Sequence, residues 1–554
     1  MTAATRSGAT GTLERLALAC LLPGFHGSDR PPGWLRRRLE AGLGGVALFA
    51  RNVRAPEQLA ALTAALRAAA DDAAPPLVAI DEEGGDVTRL EAATGSSYPG
   101  NLALGVVDDL ALTRAVGTAI GHDLAVVGIN LNLAPVADVN SNPRNPVIGV
   151  RSFGSDPERV AAHVVAMVEG LQGAGVAACV KHFPGHGDTA VDSHHSLPVV
   201  GDDAATLATG ALVPFRAAIR AGARCVMTAH LRVPAYGEEP ATVNRRLLSG
   251  LLRDELGFEG LVITDGLEMR ALTTTVGLAE AAVRALAAGA DALCVGGGLA
   301  DEATVTLLVE AVTTAVREGR LPEARLADAA SRVRRLQAAL RSPQPRTRPA
   351  GPAGPRPATH AVRPPSGGPP EASLAGFAGD ALALSTGSGG RTLGLAAARR
   401  ALQADGPPRV GPGALVIEAA AEVSPAVGEV PWGVGAALAR LDPSAAVVRQ
   451  APPAPDPPSA HDPRLDADLA AAARRPVVLV VRDLHRHPWQ RRLAATLLAA
   501  RPDAVVVEMG LPAERPRGAS AWVRTYGASA VSAVAAAEAL LGYGCAQVPE
   551  LEGR

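Results

Sequence analysis

Lysine is nearly missing from this chain. Of the 53 lysine and arginine residues among 554, one is lysine, Lys181. Arginine is a planar fork and lysine a compact point donor on a flexible stem, so a lone lysine marks either a place that needs the second geometry or a straggler in a skewed composition. Aromatic residues are also scarce, at 3% against 48% hydrophobic. Cores must therefore be packed from Ala, Val and Leu, and stacking platforms for single-stranded nucleic acid are not expected. Positive charge is not in excess: the net charge of -2 is too balanced for a nucleic-acid binder. No stretch approaches the roughly 18 apolar residues of a membrane span. The five cysteines, Cys20, Cys179, Cys225, Cys294 and Cys545, are odd in number and scattered, which fits neither a disulfide frame nor a zinc knuckle and points to a reducing, cytoplasmic compartment. The apolar run Leu16 to Leu22 is short, preceded by Glu14 and Arg15 and closed by Pro23 and Gly24. It reads as an interior strand rather than a signal or lipid anchor.

Proline and glycine divide the chain. Residues 342–373 carry no apolar period and are repeatedly fixed by proline, the composition of a semi-extended linker. Residues 1–341 and 374–554 then read as two domains. In the first, eight short apolar runs (LALACLL, GVALFA, LVAI, INLNLAP, AACV, CVMTA, LVIT, ALCV) alternate with stretches such as PEQLAALTAALRAAADD, whose apolar residues recur at three and four spacing. Eight strand-helix repeats predict an α/β fold, a (β/α)8 TIM-like barrel, with chemistry at the C-terminal ends of the strands. In the second, GALVIEAA, PVVLVVRDL and AVVVEMG alternate with helical runs, the pattern of a smaller α/β sandwich. Its polar clusters are thin, His485 and His487 being the candidates, and a structural or assembly role is expected for it.

Polar clusters follow the runs in turn. LVAI leads into Asp81, Glu82, Glu83, Asp86 and Arg89; LNLAPV into Asp138 and then Arg151; AACV into Lys181, His182, His186 and Asp188; CVMTA into His230; LVIT into Asp265. One such cluster fits a helix cap or a surface loop. Five in succession at the expected catalytic face point to a site. The segment KHFPGHGDTAVDSHHSLP (181–198) holds four of the twelve histidines and the lone lysine. His182, His186 and Asp188 have ligand chemistry, but Lys181 adds positive charge beside them and no helix-borne HExxH spacing is present. Metal-assisted hydrolysis is therefore an alternative, and neither metal nor cofactor is the leading expectation.

In this order, DEEGGDVTRL, NLAPVADVNSNPRNPVIGVRSFGSDPERV, KHFPGHGDTAVDSHHSLP, VMTAHLRVPA and GLVITDGLEM closely resemble glycoside hydrolase family 3, in its β-N-acetylglucosaminidase branch, from about Leu16 to Leu340. The second domain is similar to the α/β sandwich of two-domain members, by pattern rather than motif. The resemblance implies Asp265 as the nucleophile that forms a covalent glycosyl-enzyme. It implies His194 as general acid/base, oriented by Asp192, and Asp81, Arg89, Arg151, Lys181, His182 and His230 as residues that hold sugar hydroxyls. It implies a carbohydrate partner, a terminal β-linked N-acetylglucosaminide from peptidoglycan fragments. Two positions depart from the family's usual residues: Glu82 stands where glutamine is common and Asp86 where arginine is common. A changed local ion pair or altered contacts near the leaving group are the expected effects.

The chemistry is coherent without the family. Retaining cleavage needs an ionised carboxylate on one face of the anomeric carbon and a proton donor at the leaving oxygen. Histidine, with an unperturbed pKa of about 6.5, suits acid work near neutrality, and an aspartate two residues away favours the imidazolium. Arg151 and Lys181, if close to Asp265, would keep it ionised. Open alternatives are phosphorolysis by a β-N-acetylglucosaminide phosphorylase, a family 3 β-glycosidase of other sugar specificity, acetamide-assisted cleavage, and an idle carbohydrate-binding module. Lysine usage supplies a test of its own: Lys181→Arg should lower kcat/KM by about tenfold or more while circular dichroism stays unchanged, and normal turnover by the arginine variant would make the depletion a coincidence.

Overall fold

The computed structural model describes residues 3–70, 74–192, 196–341, 388–420, 426–452, 465, 467, 470 and 475–543. The segment expected as a linker lies outside them. Eight strands form the first domain: β1 (Leu21–Pro23), β2 (Gly45–Leu48), β3 (Leu77–Ile80), β4 (Leu131–Asn132), β5 (Ala177–Phe183), β6 (Cys225–Thr228), β7 (Leu261–Thr264) and β8 (Leu293–Val295). Strands β2 to β7 form one parallel ladder in sequence order, β1 pairs with β8, and the Ile263–Ala292 bridge joins β8 to β7. Each falls within or against one of the eight apolar runs, and helices lie between them, so the sheet has the order of the expected barrel.

The strands are short and buried on both faces, which is why they read as continuous apolar runs rather than alternating ones. Alternation survives in what each face touches. Leu77 and Ala79 of β3 join Ala177, Cys179, Cys225, Met227, Leu261 and Ile263 inside the sheet, whereas Val78 and Ile80 pack outward with Leu62, Leu124 and Val168 of the helices. Inner positions are filled mainly by Leu, Ala, Ile, Cys and Met, with Phe49 packed against them, in keeping with the scarcity of aromatic residues.

Two runs differ from their expected form. Leu16 to Ala19 end the helix Ala3–Ala19, and only Leu21–Pro23 is strand. Leu and Ala have high helix propensity and lack the β-branch that favours a pleated surface. The INLNLAP run gives a two-residue strand, because Pro135 brings no donor and interrupts the ladder, which resumes in the Val136–Lys181 bridge.

The second domain carries β9 (Gln403–Asp405), β10 (Leu415–Ala419), β11 (Ala446–Gln450), β12 (Val477–Val481), β13 (Val505–Glu508) and β14 (Ala521–Arg524). They form one sheet in the order β11-β10-β12-β13-β14-β9, parallel except for the antiparallel edge strand β9. Apolar clusters on its two faces meet helices such as Ala530–Leu541 and Pro488–Ala500, an α/β sandwich as expected. Among the described residues no helix is long and apolar enough to cross a membrane.

At the N-terminal end of β8 the fully buried Asp291 accepts Arg253 at 2.5 Å, Arg325 at 2.7 Å and the Val262 amide at 2.9 Å. This knot ties β7, β8 and the helix Glu323–Arg341 on the face away from the strand ends. Removing Asp291 leaves two largely enclosed arginines, 13% and 19% exposed, without their shared carboxylate. Asp291→Ala should therefore destabilise the protein by about 3–5 kcal/mol in denaturant melts, yet leave kcat of the folded fraction unchanged; a large loss of kcat would tie this face to chemistry.

Candidate active site

A cavity of about 450 Å³ opens at the C-terminal ends of the barrel strands, lined among others by Asp81, Glu83, Arg89, Arg151, Lys181, His182, His186, Asp265 and Glu268. Its floor is a knot of four charges. Lys181, 1% exposed at the end of β5, places Nζ 2.6 Å from Asp81 Oδ1 and 2.7 Å from Glu83 Oε1. Arg151, on the loop after β4, closes a bidentate pair on Glu83, Nε to Oε2 at 2.9 Å and Nη2 to Oε1 at 2.7 Å. Burial alone would lower Lys181 and raise Glu83, but the opposite charges outweigh it. Glu83 is held well below the carboxylate range by Arg151 and Lys181, and Lys181 is raised by Asp81 and Glu83. Two cations thus face two carboxylates, and the formal charges of the four groups cancel. Arg151 and Lys181 are expected to keep Asp265 ionised if they stand near it; in the structure both cations are matched by Asp81 and Glu83, so they supply donors rather than net positive field.

A second knot orders the KHFPGHG turn. Asp138, fully buried, accepts His182 Nδ1 at 2.7 Å and the His186 amide at 2.6 Å. Burial pushes its carboxyl up, and the neighbouring His182 and His186 outweigh that and lower it. With Nδ1 of His182 fixed on Asp138, its Nε2 is the ring atom left for a ligand in the cavity. His186 bonds Thr189 Oγ1 at 2.7 Å, and burial drives its pKa down to about 4. It is neutral at physiological pH. Among the described residues no group of three or more His, Cys, Asp or Glu is arranged to hold a metal ion.

Asp265 follows β7 and lines the cavity, with Oδ1 accepting the amide of Gly266 at 2.7 Å. His230 is 1% exposed and is not among the cavity's lining residues. Its ring bonds Thr242 Oγ1 at 2.7 Å and the Gly266 carbonyl at 2.9 Å, so it backs the turn that carries Asp265. Asp192 stands on the loop after β5, outside the cavity lining, and His194 lies outside the described residues.

Three functional residues went unassigned in sequence. Glu83 and Asp138 were visible as members of polar clusters, and their signal was the cations beside them, since a buried Lys, Arg or His requires a matched carboxylate. Glu268 accepts the amides of Gly296, at 3.0 Å, and Gly297, fixing the loop after β8 beside Asp265. The departures also find places. Asp86 is buried against Arg482 of the second domain at 2.5 Å, a changed local ion pair. Glu82 accepts the amides of Arg89 and Leu90 at 2.8 and 2.9 Å. His485 reaches the Pro143 carbonyl at 2.8 Å and joins the two domains.

A parallel barrel with carboxylates and matched cations at its strand ends is the setting of a glycoside-cleaving enzyme. The profile of the glycosyl hydrolase family 3 N-terminal domain matches residues 37–336, more than half of the chain, and the protein belongs to that family. It is 40% identical over 269 residues to a protein named beta-hexosaminidase A from Pseudoalteromonas piscicida, a match covering 45% of each. It is 38% identical over 284 residues to a beta-hexosaminidase from Thiobacillus denitrificans, covering 50% of this chain and 78% of that one. The chain thus spans less than half the length of the first relative and about four-fifths of the second. A solved family 3 beta-N-acetylglucosaminidase from Paenibacillus sp. str. FPU-7 superposes with a TM-score of 0.79 and 31% identity over 96% of both chains, both domains included.

Burial raises the Glu82 carboxyl to about 7 against the Leu90 and Arg89 amides and the Thr88 hydroxyl. Unfolded, it ionises near ~4.3. Between those values the folded state keeps a proton the unfolded state has lost, so stability falls as pH rises across this window. Glu82→Gln should raise the Tm at pH 8, by on the order of 2 kcal/mol in stability, with the gain fading toward pH 4. A pH-independent difference between the two melting profiles would refute that origin.

Proposed function

We propose that this chain is a retaining, exo-acting β-N-acetylglucosaminidase that removes terminal β-linked N-acetylglucosamine, with peptidoglycan fragments as the natural substrate class. The observation that carries the proposal is Asp265 at the end of β7, in one cavity with the Lys181, Asp81, Glu83 and Arg151 knot. Relatives named beta-hexosaminidase and a structural neighbour named beta-N-acetylglucosaminidase support the sugar assignment. The four buried, unpaired cysteines Cys20, Cys179, Cys225 and Cys294 suit a reducing cytoplasmic setting.

In the first step the Asp265 carboxylate attacks the anomeric carbon as the glycosidic C–O bond breaks, and His194 gives its proton to the leaving oxygen. In the second, water attacks the same carbon, His194 takes the water's proton, and the Asp265 ester bond breaks. Configuration is retained because the carbon inverts twice. Asp81, Arg151, Lys181 and His182 hold the hydroxyls: the knot's charges are fixed by one another, so little reorganisation is needed as the sugar flattens. His230 holds the Gly266 turn, and with it the direction of Asp265.

A panel of aryl β-glycosides, with product configuration followed by NMR, tests substrate and stereochemistry together. The N-acetylglucosaminide should be cleaved fastest and give the β product first. Asp265→Ala should lose at least about 1,000-fold in kcat, and a 2-fluorosugar trap should label Asp265. Wild-type turnover by the alanine variant would remove Asp265 from the nucleophile's role. A sugar 1-phosphate as the main product in phosphate buffer would replace hydrolysis by phosphorolysis.

A further inference from the structure

The turn between β3 and the helix Asn101–Val107 carries Asp81, Glu83 and Arg89, and the second domain grips it at two points. Asp86, buried at its middle, accepts Arg482 Nη2 on Oδ2 at 2.5 Å and the Ala528 amide on Oδ1 at 2.7 Å. Arg482 directly follows β12, and Ala528 lies between β14 and the helix Ala530–Leu541. Three residues on, Arg89 donates Nη2 to the Ala426 carbonyl at 2.6 Å and Nη1 to the Val427 carbonyl at 2.8 Å. Arg89 and Ala426 both line the cavity that holds Asp265.

The fit leaves no slack. A Cβ on Gly394 of the helix Ser388–Ala401 would lie 1.8 Å from the Ser97 carbonyl, and one on Gly527 would lie 2.9 Å from the Pro99 carbonyl. Both contacts bear on the last residues of the same turn. Arg89 is braced by neutral carbonyls, and no carboxylate pairs with it among the described residues. Its position is thus set by the second domain, and its charge stands un-neutralised at the cavity wall, suited to an acceptor such as a sugar hydroxyl.

We propose that the second domain is a working wall of the substrate cavity. Asp86 and Arg482 are positioning residues that fix the turn, so that Arg89, braced on Ala426 and Val427, presents its remaining donors to the sugar. This rests on the glycosidase function proposed above and adds to it a specific role for the second domain. A hydroxyl contact made equally before and during reaction affects KM, whereas one made only in the transition state affects kcat. Loosening the turn should accordingly act on KM.

The test uses the full chain and whichever aryl β-glycoside the wild type turns over fastest, so a wrong sugar assignment would show in the choice of substrate and leave this result intact. Asp86→Arg and Arg482→Asp, each placing like charges in contact, should raise KM by about tenfold or more with kcat within about threefold. The double variant Asp86→Arg/Arg482→Asp should bring KM back to within about threefold of wild type. Asp86→Asn keeps an acceptor for the Ala528 amide and puts an amide NH2 where a carboxylate oxygen takes Arg482. It decides the matter if the single swaps fail to fold, with a KM increase expected in the folded protein at a Tm lowered by the loss of the buried pair. A folded Asp86→Asn with wild-type KM would overturn the proposal, as would a double swap that restores Tm but not KM, or a loss confined to kcat.

Discussion

Glu83 takes two cations on one carboxylate, and the site is built around that contact. Its Oε1 lies 2.7 Å from both Lys181 Nζ and Arg151 Nη2, while Oε2 is taken by Arg151 Nε. Asp81 balances the second positive charge. The four groups come from the exits of β3, β4 and β5, so one electrostatic condition holds three strand ends in register. Buried charges of this kind give little net stability, because desolvation consumes most of the attraction, but any three of them without the fourth would be strongly unfavourable. The arrangement is therefore all or nothing, which suits a surface that must present fixed donors to a sugar.

The two ends of the barrel use the same residue types for different purposes. On the N-terminal face, Asp291 gathers Arg253 and Arg325 and joins a strand to its helices. On the C-terminal face the ion pairs border a cavity, and part of their hydrogen-bonding capacity is turned toward it. The second domain extends this division: it meets the barrel through Arg482, Ala426, Ala528 and His485, and the first three hold the turn that carries Arg89 to the cavity.

Strand number, order and the barrel's catalytic face were legible in sequence because each buried parallel strand leaves an apolar run, and each run ends in polar residues that have no place in a core. Strand length was less legible: Leu16 to Ala19 have no feature that separates a helix end from a strand, and Pro135 shortened β4 through a donor that is missing rather than a residue that is conspicuous. Within the site, Asp81, Lys181, Arg151, His182 and Asp265 fell at strand exits and were brought to one cavity. Glu83 and Asp138 were masked by their own surroundings, since a carboxylate among several polar residues carries no sign of which one turns inward. His230 had the right position but its ring faces the Gly266 carbonyl, a backbone partner that sequence does not display. The grip of the second domain was not legible at all, because Asp86 and Arg482 are 396 positions apart, and only the folded chain makes them neighbours.

The one lysine that the depletion leaves in place has a geometric reason to be there. Arg151 already occupies both oxygens of Glu83 in a fork-to-fork pair, so a second guanidinium at position 181 would have to approach Oε1 edge-on beside the first, with no free oxygen for its second donor. An ammonium needs one direction per bond, and its donors can divide between Asp81 and Glu83, as Nζ does at 2.6 and 2.7 Å. Elsewhere an arginine can also divide between two carboxylates, as Arg325 does between Asp291 and Asp328 and Arg320 between Glu280 and Glu318, but those side chains are 19% and 46% exposed and have room to spread their donors. At position 181 two carboxylates, one of them already forked, must be satisfied from a single buried point, and that requirement admits lysine and excludes the residue this chain otherwise uses.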